Sequence, residues 1–571
     1  MPTATISIAI TGSGGSGAVT SGMILLEAMA LAGYHGFMAR SAGPQIRGGE
    51  SAVMMRFSTQ PVYSVDDYFD VLLSMDWQKV ERFVDEIPLH AESLLIGDSA
   101  AGDAPESLLK SSPRFLALPF TDEAKNNTGI RPNMIALGVL ARHLGLASET
   151  MKNALQSVLG AKGEQVVAGS LQGIELGREL GADLDVDLAL PTATAGTTLY
   201  NISGNEASGL GALKAGVRFV AAYPITPASE ILEWMAPNLE KVGGSLLQAE
   251  DELASINMII GSSFGGVPSL TATSGPGLSL MMEGLGLAVT SETPLVVINV
   301  QRGGPSTGIP TKSEQADLNL ALYGFHGDAP HLVLAPLHIG DCVFTCHWSV
   351  CLAEQMQAVA IVLTDQSIGQ SRVVMSPPQT QQIPCTRKLA DDIGEDYRRY
   401  QLTDDGISPM SVPGTPVGMY TADGLEHNER GTPSSASSDH IEQMRKREFK
   451  MTNYDYGEHW SVIEGTGEIA IISWGSSSAV CFEAAERLAE QGISVRVIAL
   501  RLLMPLNRAG LDSALEACHS VFVVEQNQSG QLFHYLHAQQ VLPAHSFSHA
   551  RPGPLPMRPD EIVNVIKEHR S

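Results

Sequence analysis

The chain has 571 residues, which exceeds what one hydrophobic core organises and predicts about three or four domains. Hydrophobic residues make up 44% and charged residues 17%, a balance that excludes an intrinsically disordered chain. The formal net charge of -26 argues against the basic surface that binds nucleic acid or an anionic membrane, so we expect neither partner.

The first segment predicts a β-strand, a glycine turn and a helix. Residues 6–10 are Ile-Ser-Ile-Ala-Ile, the glycines of residues 12–17 follow the spacing G-x-G-x-x-G, and an apolar helix covers about residues 19–32. The turn, which includes Gly14 and Gly17, can present backbone N–H groups to a phosphate, or it can let strand and helix pack closely. No acidic residue stands about 20 positions on to bind a ribose, so nicotinamide binding is not expected.

A second glycine-rich stretch, residues 41–51, predicts a shaped loop with one cation, Arg47. Its guanidinium is a candidate anchor for a phosphate or carboxylate, with an internal salt bridge as the alternative.

The Thr- and Ser-rich residues 191–205 contain proline and glycine and are interpreted as a linker.

Continuous apolar strands are predicted at residues 217–222, 295–300 and 358–363. They alternate with helical stretches, which is typical of a parallel sheet with helices on both faces, an α/β fold. Cys342 and Cys346 are four residues apart and predict a buried helix. Residues 253–282 carry no charge, but glycines and prolines interrupt them, so they predict buried pocket wall and not a membrane span.

Prolines interrupt residues 376–466, which are interpreted as a long connecting segment over a surface. Strand–helix alternation then resumes, with strands predicted at residues 469–473, 495–499 and 521–525 and a helix near residues 479–491. The predicted organisation is a first domain, a linker, a middle domain, a connecting segment and a last α/β domain: residues 1–190, 191–205, 206–375, 376–466 and 467–571.

The six cysteines include no C-x-x-C pair, so neither a zinc ribbon nor an iron–sulfur run is predicted, and no metal ligand is assigned to this chain. Six scattered thiols fit a reducing cytoplasm. The amino terminus also lacks the basic start of a signal peptide, so we expect a cytoplasmic protein.

The middle domain carries two candidate cofactor motifs. Residues 223–227, Tyr-Pro-Ile-Thr-Pro, follow a predicted strand, and the prolines around Thr226 fix the backbone and orient its hydroxyl. Glu252 is the last of three acids and begins an apolar helix. It is the candidate catalytic carboxylate, with Glu250 as the alternative, although an acid in this position can also simply complement the helix dipole.

Arg302 follows the predicted strand at residues 295–300 and can bind a carboxylate with two parallel hydrogen bonds. Thr307, Thr311 and Lys312 lie on the same loop and could hold a second carboxylate. This pattern favours 2-oxoglutarate over pyruvate; a solvated surface lysine is the alternative interpretation of Lys312.

Together these motifs resemble the pyrimidine-binding domain of the 2-oxoacid:ferredoxin oxidoreductases, which use thiamine diphosphate. The turn Thr-Ser-Gly-Pro-Gly at residues 273–277 resembles one found in many thiamine-dependent pyrimidine domains. The resemblance implies that Glu252 activates the cofactor, that Thr226, Pro227 and Gly275 lie beside it, and that Arg302 binds the oxoacid.

The outer domains extend the resemblance to nearly the whole chain. The first resembles the Rossmann-like gamma domain of the same family, which can help bind coenzyme A; this implies a role for Gly14, Gly17 and Arg47. The last resembles the C-terminal domain shared with transketolase. The gamma-like domain precedes the alpha-like part in one chain, and this order resembles the large subunit of bacterial two-subunit 2-oxoglutarate enzymes.

Half of a thiamine site is missing from the sequence. The Gly-Asp-Gly motif that holds diphosphate and magnesium is not found. The resemblance implies that Mg²⁺ and a [4Fe-4S] cluster belong to a separate beta subunit, in an (αβ)2 assembly that reduces ferredoxin. The implied reaction converts 2-oxoglutarate and coenzyme A into succinyl-coenzyme A and carbon dioxide, and strongly reducing ferredoxin could reverse it, as the reductive TCA cycle requires.

Three alternatives remain open at this point. The same enzyme class could act on pyruvate, a branched-chain or an aryl 2-oxoacid, which would not need a second cation near residues 307–312. A transketolase- or decarboxylase-like enzyme without electron transfer would have no gamma-like domain. A non-catalytic nucleotide-binding scaffold would leave Thr226, Glu252 and Arg302 unexplained.

Overall fold

The computed structural model describes residues 5–43, 49–193, 198–309, 312–378, 383–391 and 393–569. The chain divides into two compact units. The first is formed by Met1–Ser203, Gln370–Pro378 and Arg558–Asp560; the second is formed by Gly204–Gly369, Gln379–Met557 and Glu561–Ser571.

The strands are short, as expected for an α/β protein. Their bounds are β1 Thr5–Gly12, β2 His35–Ala42, β3 Ser51–Ser58, β4 Phe69–Ser74, β5 Leu89–Asp98, β6 Arg114–Leu118, β7 Tyr200–Ser203, β8 Phe219–Ala222, β9 Ser245–Gln248, β10 Ser269–Thr273, β11 Leu295–Gln301, β12 Leu332–Leu334, β13 Val359–Asp365, β14 Arg372–Met375, β15 Ser461–Glu464, β16 Ile469–Trp474, β17 Val495–Leu500, β18 Leu502–Met504, β19 Ser520–Glu525 and β20 Ser546–Ala550.

The helices alternate with these strands along most of the chain. Their bounds are α1 Ala18–Leu31, α2 Glu106–Leu109, α3 Phe120–Asn126, α4 Pro132–His143, α5 Ser148–Leu159, α6 Glu164–Leu180, α7 Gly204–Lys214, α8 Ser229–Glu240, α9 Glu252–Phe264, α10 Gly275–Thr290, α11 Leu318–Tyr323, α12 Asp341–Met356, α13 Gln366–Gln370, α14 Ser437–Thr452, α15 Ser477–Glu490, α16 Arg508–Leu515, α17 Gln531–Ala538 and α18 Pro559–Glu568.

The first unit is built on an eight-stranded mixed sheet in the order β6-β5-β4-β1-β3-β2-β14-β7. The predicted first strand and helix are confirmed as β1 and α1. Between them Gly17 has φ +89°, and a Cβ there would lie 2.4 Å from Nδ2 of Asn133, so close packing alone requires this glycine. In the same turn, Ser13 donates hydrogen bonds from its backbone N and Oγ to Asp76, at 2.9 and 2.7 Å.

The second unit contains a seven-stranded sheet in the order β18-β12-β13-β11-β10-β8-β9. Its pairs are parallel except where β18 runs antiparallel to β12. Every residue of β11 and β13 is buried, which confirms the predicted apolar strands in a sheet covered on both faces. The parallel strands end at one edge of this sheet, where open α/β sheets bind ligands.

A five-stranded sheet, β15-β17-β16-β19-β20, completes the second unit. Its pairs are parallel apart from the antiparallel β15–β17 pair. The strands predicted near residues 469, 495 and 521 are confirmed as β16, β17 and β19. The α/β fold predicted for the chain is therefore confirmed in both units.

The segment predicted as a long connection over a surface, residues 376–466, contains the 16-residue helix α14. The prediction missed this helix because its buried face is charged. Lys446, Arg447 and Lys450 are each at most 4% exposed, and the ammonium groups of both lysines bind the Glu292 carboxylate, at 2.5 and 2.7 Å. A hydrophobic period of 3.6 residues cannot reveal such a face.

The cysteines follow the prediction in part. Cys342 and Cys346 are fully buried on α12, as expected. Cys351 and Cys385, however, form a disulfide, whereas the sequence suggested six separate thiols. The uncharged residues 253–282 fold into α9, β10 and part of α10, and no helix in the described residues is long and apolar enough to cross a membrane.

Candidate active site

The candidate site lies in the second unit, where loops and helices follow the carboxyl ends of β8, β9, β10 and β11. Tyr223 to Pro227 follow β8, Glu252 follows β9, Gly275 follows β10 and Arg302 follows β11. In the parallel register Thr273 of β10 stands beside Asn299 of β11, so these ends meet at one edge of the sheet.

Glu252 is the first residue of α9. The preceding Asp251 caps the helix, because its side chain accepts a 2.7 Å hydrogen bond from the backbone N of Ala254. Glu252 is only 7% exposed, whereas Glu250 is exposed. Within the described part of the chain, the Glu252 carboxylate has no hydrogen-bond donor. The carboxylate therefore keeps its acceptor capacity for a ligand.

The Glu252 side chain lies against the first turn of α10. A Cβ on Gly277 would be 2.7 Å from its Oε1, so only glycine leaves room for the carboxylate here. Gly275 has the same relationship with Asp317, whose two carboxylate oxygens would lie 2.8 Å from a Cβ. The glycines of the predicted turn thus admit two carboxylates to the amino-terminal end of one helix.

The loop after β8 and the loop after β11 are joined directly. Arg302 donates a 2.8 Å hydrogen bond from Nη1 to the backbone carbonyl oxygen of Thr226. The Thr226–Pro227 peptide bond is cis, and the carbonyl oxygen of Pro227 accepts a 2.9 Å hydrogen bond from Nδ2 of Asn205. Arg302 Nε is buried and has no partner among the described residues, so the guanidinium keeps donor capacity.

Asp317 also lies at this edge of the sheet, although no sequence pattern predicted it. Asn299 donates a 2.9 Å hydrogen bond to its Oδ2, and its backbone N donates one of 2.9 Å to Oε1 of Gln301. Burial raises the pKa of Asp317 to about 6; Asn299 opposes this rise, Glu314 adds to it and Arg302 opposes it. The available signal was position, since Asp317 follows closely on Lys312 in the same stretch.

The remaining predicted residues are less closely gathered. Thr307 is exposed in the loop after β11, and the backbone oxygen of Lys312 accepts a 2.9 Å hydrogen bond from Gly303, which ties the two ends of that loop. Thr311 and Arg47 lie outside the described residues. Gly14 and Gly17 belong to the first unit.

The polar groups at this edge of the sheet fit the aminopyrimidine half of thiamine diphosphate. A ring nitrogen of that cofactor requires a carboxyl group in a largely buried setting, and Glu252 is a carboxylate of that kind. Oγ of Ser274 and Oδ1 of Asn299 are also buried without partners among the described residues. Ser274 precedes α10 and Asn299 lies on β11, so both atoms offer open hydrogen-bonding capacity at this edge of the sheet.

Sequence profiles of three protein families match successive parts of the chain. Residues 7–180 match pyruvate ferredoxin/flavodoxin oxidoreductase. Residues 210–446 match the thiamine diphosphate-binding domain of pyruvate flavodoxin/ferredoxin oxidoreductase. Residues 458–531 match the C-terminal domain of transketolase. A thiamine diphosphate-binding domain is therefore present.

Curated relatives match over most of their own length. The chain is 30% identical to subunit alpha of 2-oxoacid:ferredoxin oxidoreductase 2 from Aeropyrum pernix, over 98% of this chain and 97% of that protein. It is 35% identical to the 2-oxoglutarate synthase subunit KorA of Methanothermobacter marburgensis, over 65% of this chain and 99% of that one.

A solved structure matches across the whole fold. It is 2-oxoglutarate:ferredoxin oxidoreductase from Magnetococcus marinus with 2-oxoglutarate, coenzyme A and succinyl-CoA bound. The TM-score is 0.93 with 36% sequence identity, covering 99% of this chain and 100% of that one. The chain is an oxidoreductase and belongs to the 2-oxoacid:ferredoxin oxidoreductase family.

Proposed function

We propose that this chain is the alpha subunit of a 2-oxoglutarate:ferredoxin oxidoreductase. The enzyme decarboxylates 2-oxoglutarate, passes the electrons to ferredoxin and transfers the succinyl group to coenzyme A. The observation that carries the proposal is the Glu252 carboxylate. It belongs to the first residue of α9, is largely buried against the first turn of α10, and lies on the same sheet edge as Arg302.

Glu252 acts at the cofactor. Bound thiamine diphosphate supplies the nucleophilic carbon and the electron sink for decarboxylation. The Glu252 carboxyl group holds the proton shared with the pyrimidine ring nitrogen. Its burial strengthens that hydrogen bond, because water does not compete for it. Thr226, Pro227 and Gly275 shape the wall around the ring.

Arg302 and Lys312 determine the choice of oxoacid. The Arg302 guanidinium binds the carboxylate next to the keto group, and its bond to the Thr226 carbonyl keeps it oriented. Lys312, with Thr307 and Thr311, binds the distal carboxylate that 2-oxoglutarate has and pyruvate lacks. The 2-oxoglutarate in the name of the Magnetococcus marinus structure, which is 36% identical, supports this assignment.

A beta subunit completes the active site. The exposed side of α9 carries Leu253 and Met258, at 49% and 38% exposure, and α10 adds Leu280 at 51%. An apolar rim around a half-built cofactor site marks a docking surface. The beta subunit brings the diphosphate and Mg²⁺ site and the [4Fe-4S] cluster, in an (αβ)2 assembly. Ferredoxin docks on that subunit, because this chain is too acidic to attract an acidic protein.

The first domain, residues 1–190, contributes to coenzyme A binding. The backbone of the turn with Gly14 and Gly17 is exposed in part, and Arg47 supplies the cation for a phosphate. A linker at residues 191–205 leads to the pyrimidine-binding domain at residues 206–375. Residues 376–466 connect it to the C-terminal domain, residues 467–571.

With strongly reduced ferredoxin the reaction runs towards carbon dioxide fixation in the cytoplasm.

The test is a substrate comparison on the purified complex. Ferredoxin reduction is measured with coenzyme A and either 2-oxoglutarate, pyruvate, a branched-chain or an aryl 2-oxoacid. We expect 2-oxoglutarate to give the highest kcat/KM, and Lys312→Ala to lower that value about tenfold while leaving pyruvate unaffected. A higher kcat/KM for pyruvate than for 2-oxoglutarate, in both the wild type and Lys312→Ala, would overturn the proposed substrate.

A further inference from the structure

Three metal-binding side chains meet on α12 and on the segment that follows β14. His347 and Cys351 are four residues apart and therefore share one face of α12. Cys385 lies over that face, with its Sγ 3.6 Å from Nε2 of His347 and joined to Cys351 in a disulfide. The three candidate ligand atoms all lie within 4.8 Å of one another.

Contacts other than the disulfide also hold the segment around Cys385 against α12. On one side, Gln355 of α12 donates a side-chain hydrogen bond to the carbonyl oxygen of Pro384. On the other side, Arg387 makes a buried two-pronged ion pair with Glu354 of α12, at 2.8 and 2.9 Å. These contacts hold the chain on both sides of Cys385 against the helix, so we expect its sulfur to stay near Cys351 and His347 after reduction.

The three groups are chemically suited to a thiophilic ion. His347 Nε2 faces the sulfur of Cys385, so the imidazole is positioned to bind the same ion as the two cysteines. Cys351 is fully buried, whereas His347 and Cys385 are half-buried, so a bound ion would be covered on one side and open to water on the other. Two thiolates and one imidazole are the ligand set that selects zinc over harder divalent ions.

We propose that His347, Cys351 and Cys385 bind one Zn²⁺ ion when the disulfide is reduced. A dithiol reductant supplies two electrons and two protons, the S–S bond breaks, and the dithiol becomes a disulfide. The two thiols then release their protons on binding zinc as thiolates. The fourth tetrahedral position is left for water.

The ion would replace one cross-link by another between α12 and residues 383–387. Zinc thiolate bonds of about 2.3 Å place the sulfurs further apart than a disulfide does, so the two states exclude each other. The site contains none of Thr226, Glu252 and Arg302, and it is independent of the choice of oxoacid.

The experiment measures zinc in the full chain, purified with its partner subunit. The protein is reduced with dithiothreitol, freed of reductant without oxygen, given a small excess of zinc chloride and dialysed. Zinc is then determined by mass spectrometry for the wild type, His347→Ala, Cys385→Ser and the control Cys346→Ala, a buried cysteine on the same helix outside the trio.

We expect the wild type and Cys346→Ala to hold about one more zinc ion per chain than His347→Ala and Cys385→Ser. The zinc affinity of these last two variants should fall at least about tenfold. Cobalt in place of zinc should give a thiolate-to-metal charge-transfer band that Cys385→Ser loses. If Cys385→Ser does not fold, His347→Ala carries the comparison. Equal zinc in all four proteins, or none in the reduced wild type, would overturn the proposal.

Discussion

Nη1 of Arg302 lies 2.8 Å from the backbone carbonyl oxygen of Thr226 and donates a hydrogen bond to it. This bond joins the loop after β11 to the loop after β8. It fixes one end of the guanidinium and leaves the buried Nε without a partner among the described residues. Arg302 is therefore oriented by the fold itself, which would reduce the entropy lost if, as we propose, it binds the oxoacid.

Arg302→Lys tests the role of that geometry. Lysine keeps the positive charge but loses the planar fork, so we expect KM for the oxoacid to rise about 10- to 100-fold with a smaller effect on kcat. The measurement is steady-state ferredoxin reduction at varied oxoacid concentration. Arg398→Lys, an exposed arginine paired with Glu429, is the control. Similar KM values in both variants would contradict the assignment.

Glu252→Gln removes the negative charge while preserving the shape of the side chain. We expect kcat to fall by at least about 100-fold, because the amide cannot accept and return the proton. The exposed Glu250→Gln is the matched control and should retain activity. Size-exclusion chromatography shows whether each variant still assembles. Loss of activity in Glu250→Gln with retention in Glu252→Gln would move the catalytic role by two residues.

Asp317→Asn tests the raised pKa of the Asp317 carboxyl group, which lies beside the first residue of α10. Between pH 3.8 and about 6 the folded chain keeps this proton, whereas the unfolded chain loses it. The resulting stabilisation is complete below pH 3.8 and is lost as the pH rises through about 6. A rise of this size corresponds to at most about 3 kcal/mol.

The measurement is the difference in Tm between the wild type and Asp317→Asn at several pH values. Since asparagine does not titrate, the wild type should lose a few degrees relative to the variant between about pH 4 and about pH 7. The exposed Asp328→Asn serves as the control. A constant difference across this range would show that the Asp317 pKa is not raised.

Glu292→Gln tests the charged face of α14. Burial alone would raise the pKa of Glu292, but the ammonium groups of Lys446 and Lys450 and the guanidinium of Arg399 outweigh it and hold the pKa below its usual range. Removing the carboxylate leaves buried cations uncompensated, at a cost of about 3–5 kcal/mol. Thermal unfolding should show a Tm several degrees lower, with the exposed Glu448→Gln unchanged. Equal Tm values would contradict this account.

The sequence predicted those parts of the fold that hydrophobic pattern controls. Continuous apolar runs identified β11 and β13, and an acid before an apolar run identified the start of α9 at Glu252. Helix α14 escaped prediction because ion pairs with Glu292, not apolar contacts, bury its inner face.

The candidate site was predictable where a residue adjoins a recognisable element. Thr226, Gly275 and Arg302 each follow a strand, and the parallel register brings those strand ends together. Asp317 could not be found this way, because its role depends on burial beside Gly275 and on a hydrogen bond from Asn299. The Cys351–Cys385 pair spans 34 residues, and no local spacing indicates it.

The measurement that tests the central claim most directly is gentle affinity purification of this chain from its native host, followed by analysis of protein, iron and thiamine diphosphate. The account predicts a second subunit in equal amount, with iron and thiamine diphosphate in the complex and neither on the separated chain. A colourless chain recovered alone, or one that binds thiamine diphosphate fully without a partner, would contradict an active site divided between two subunits.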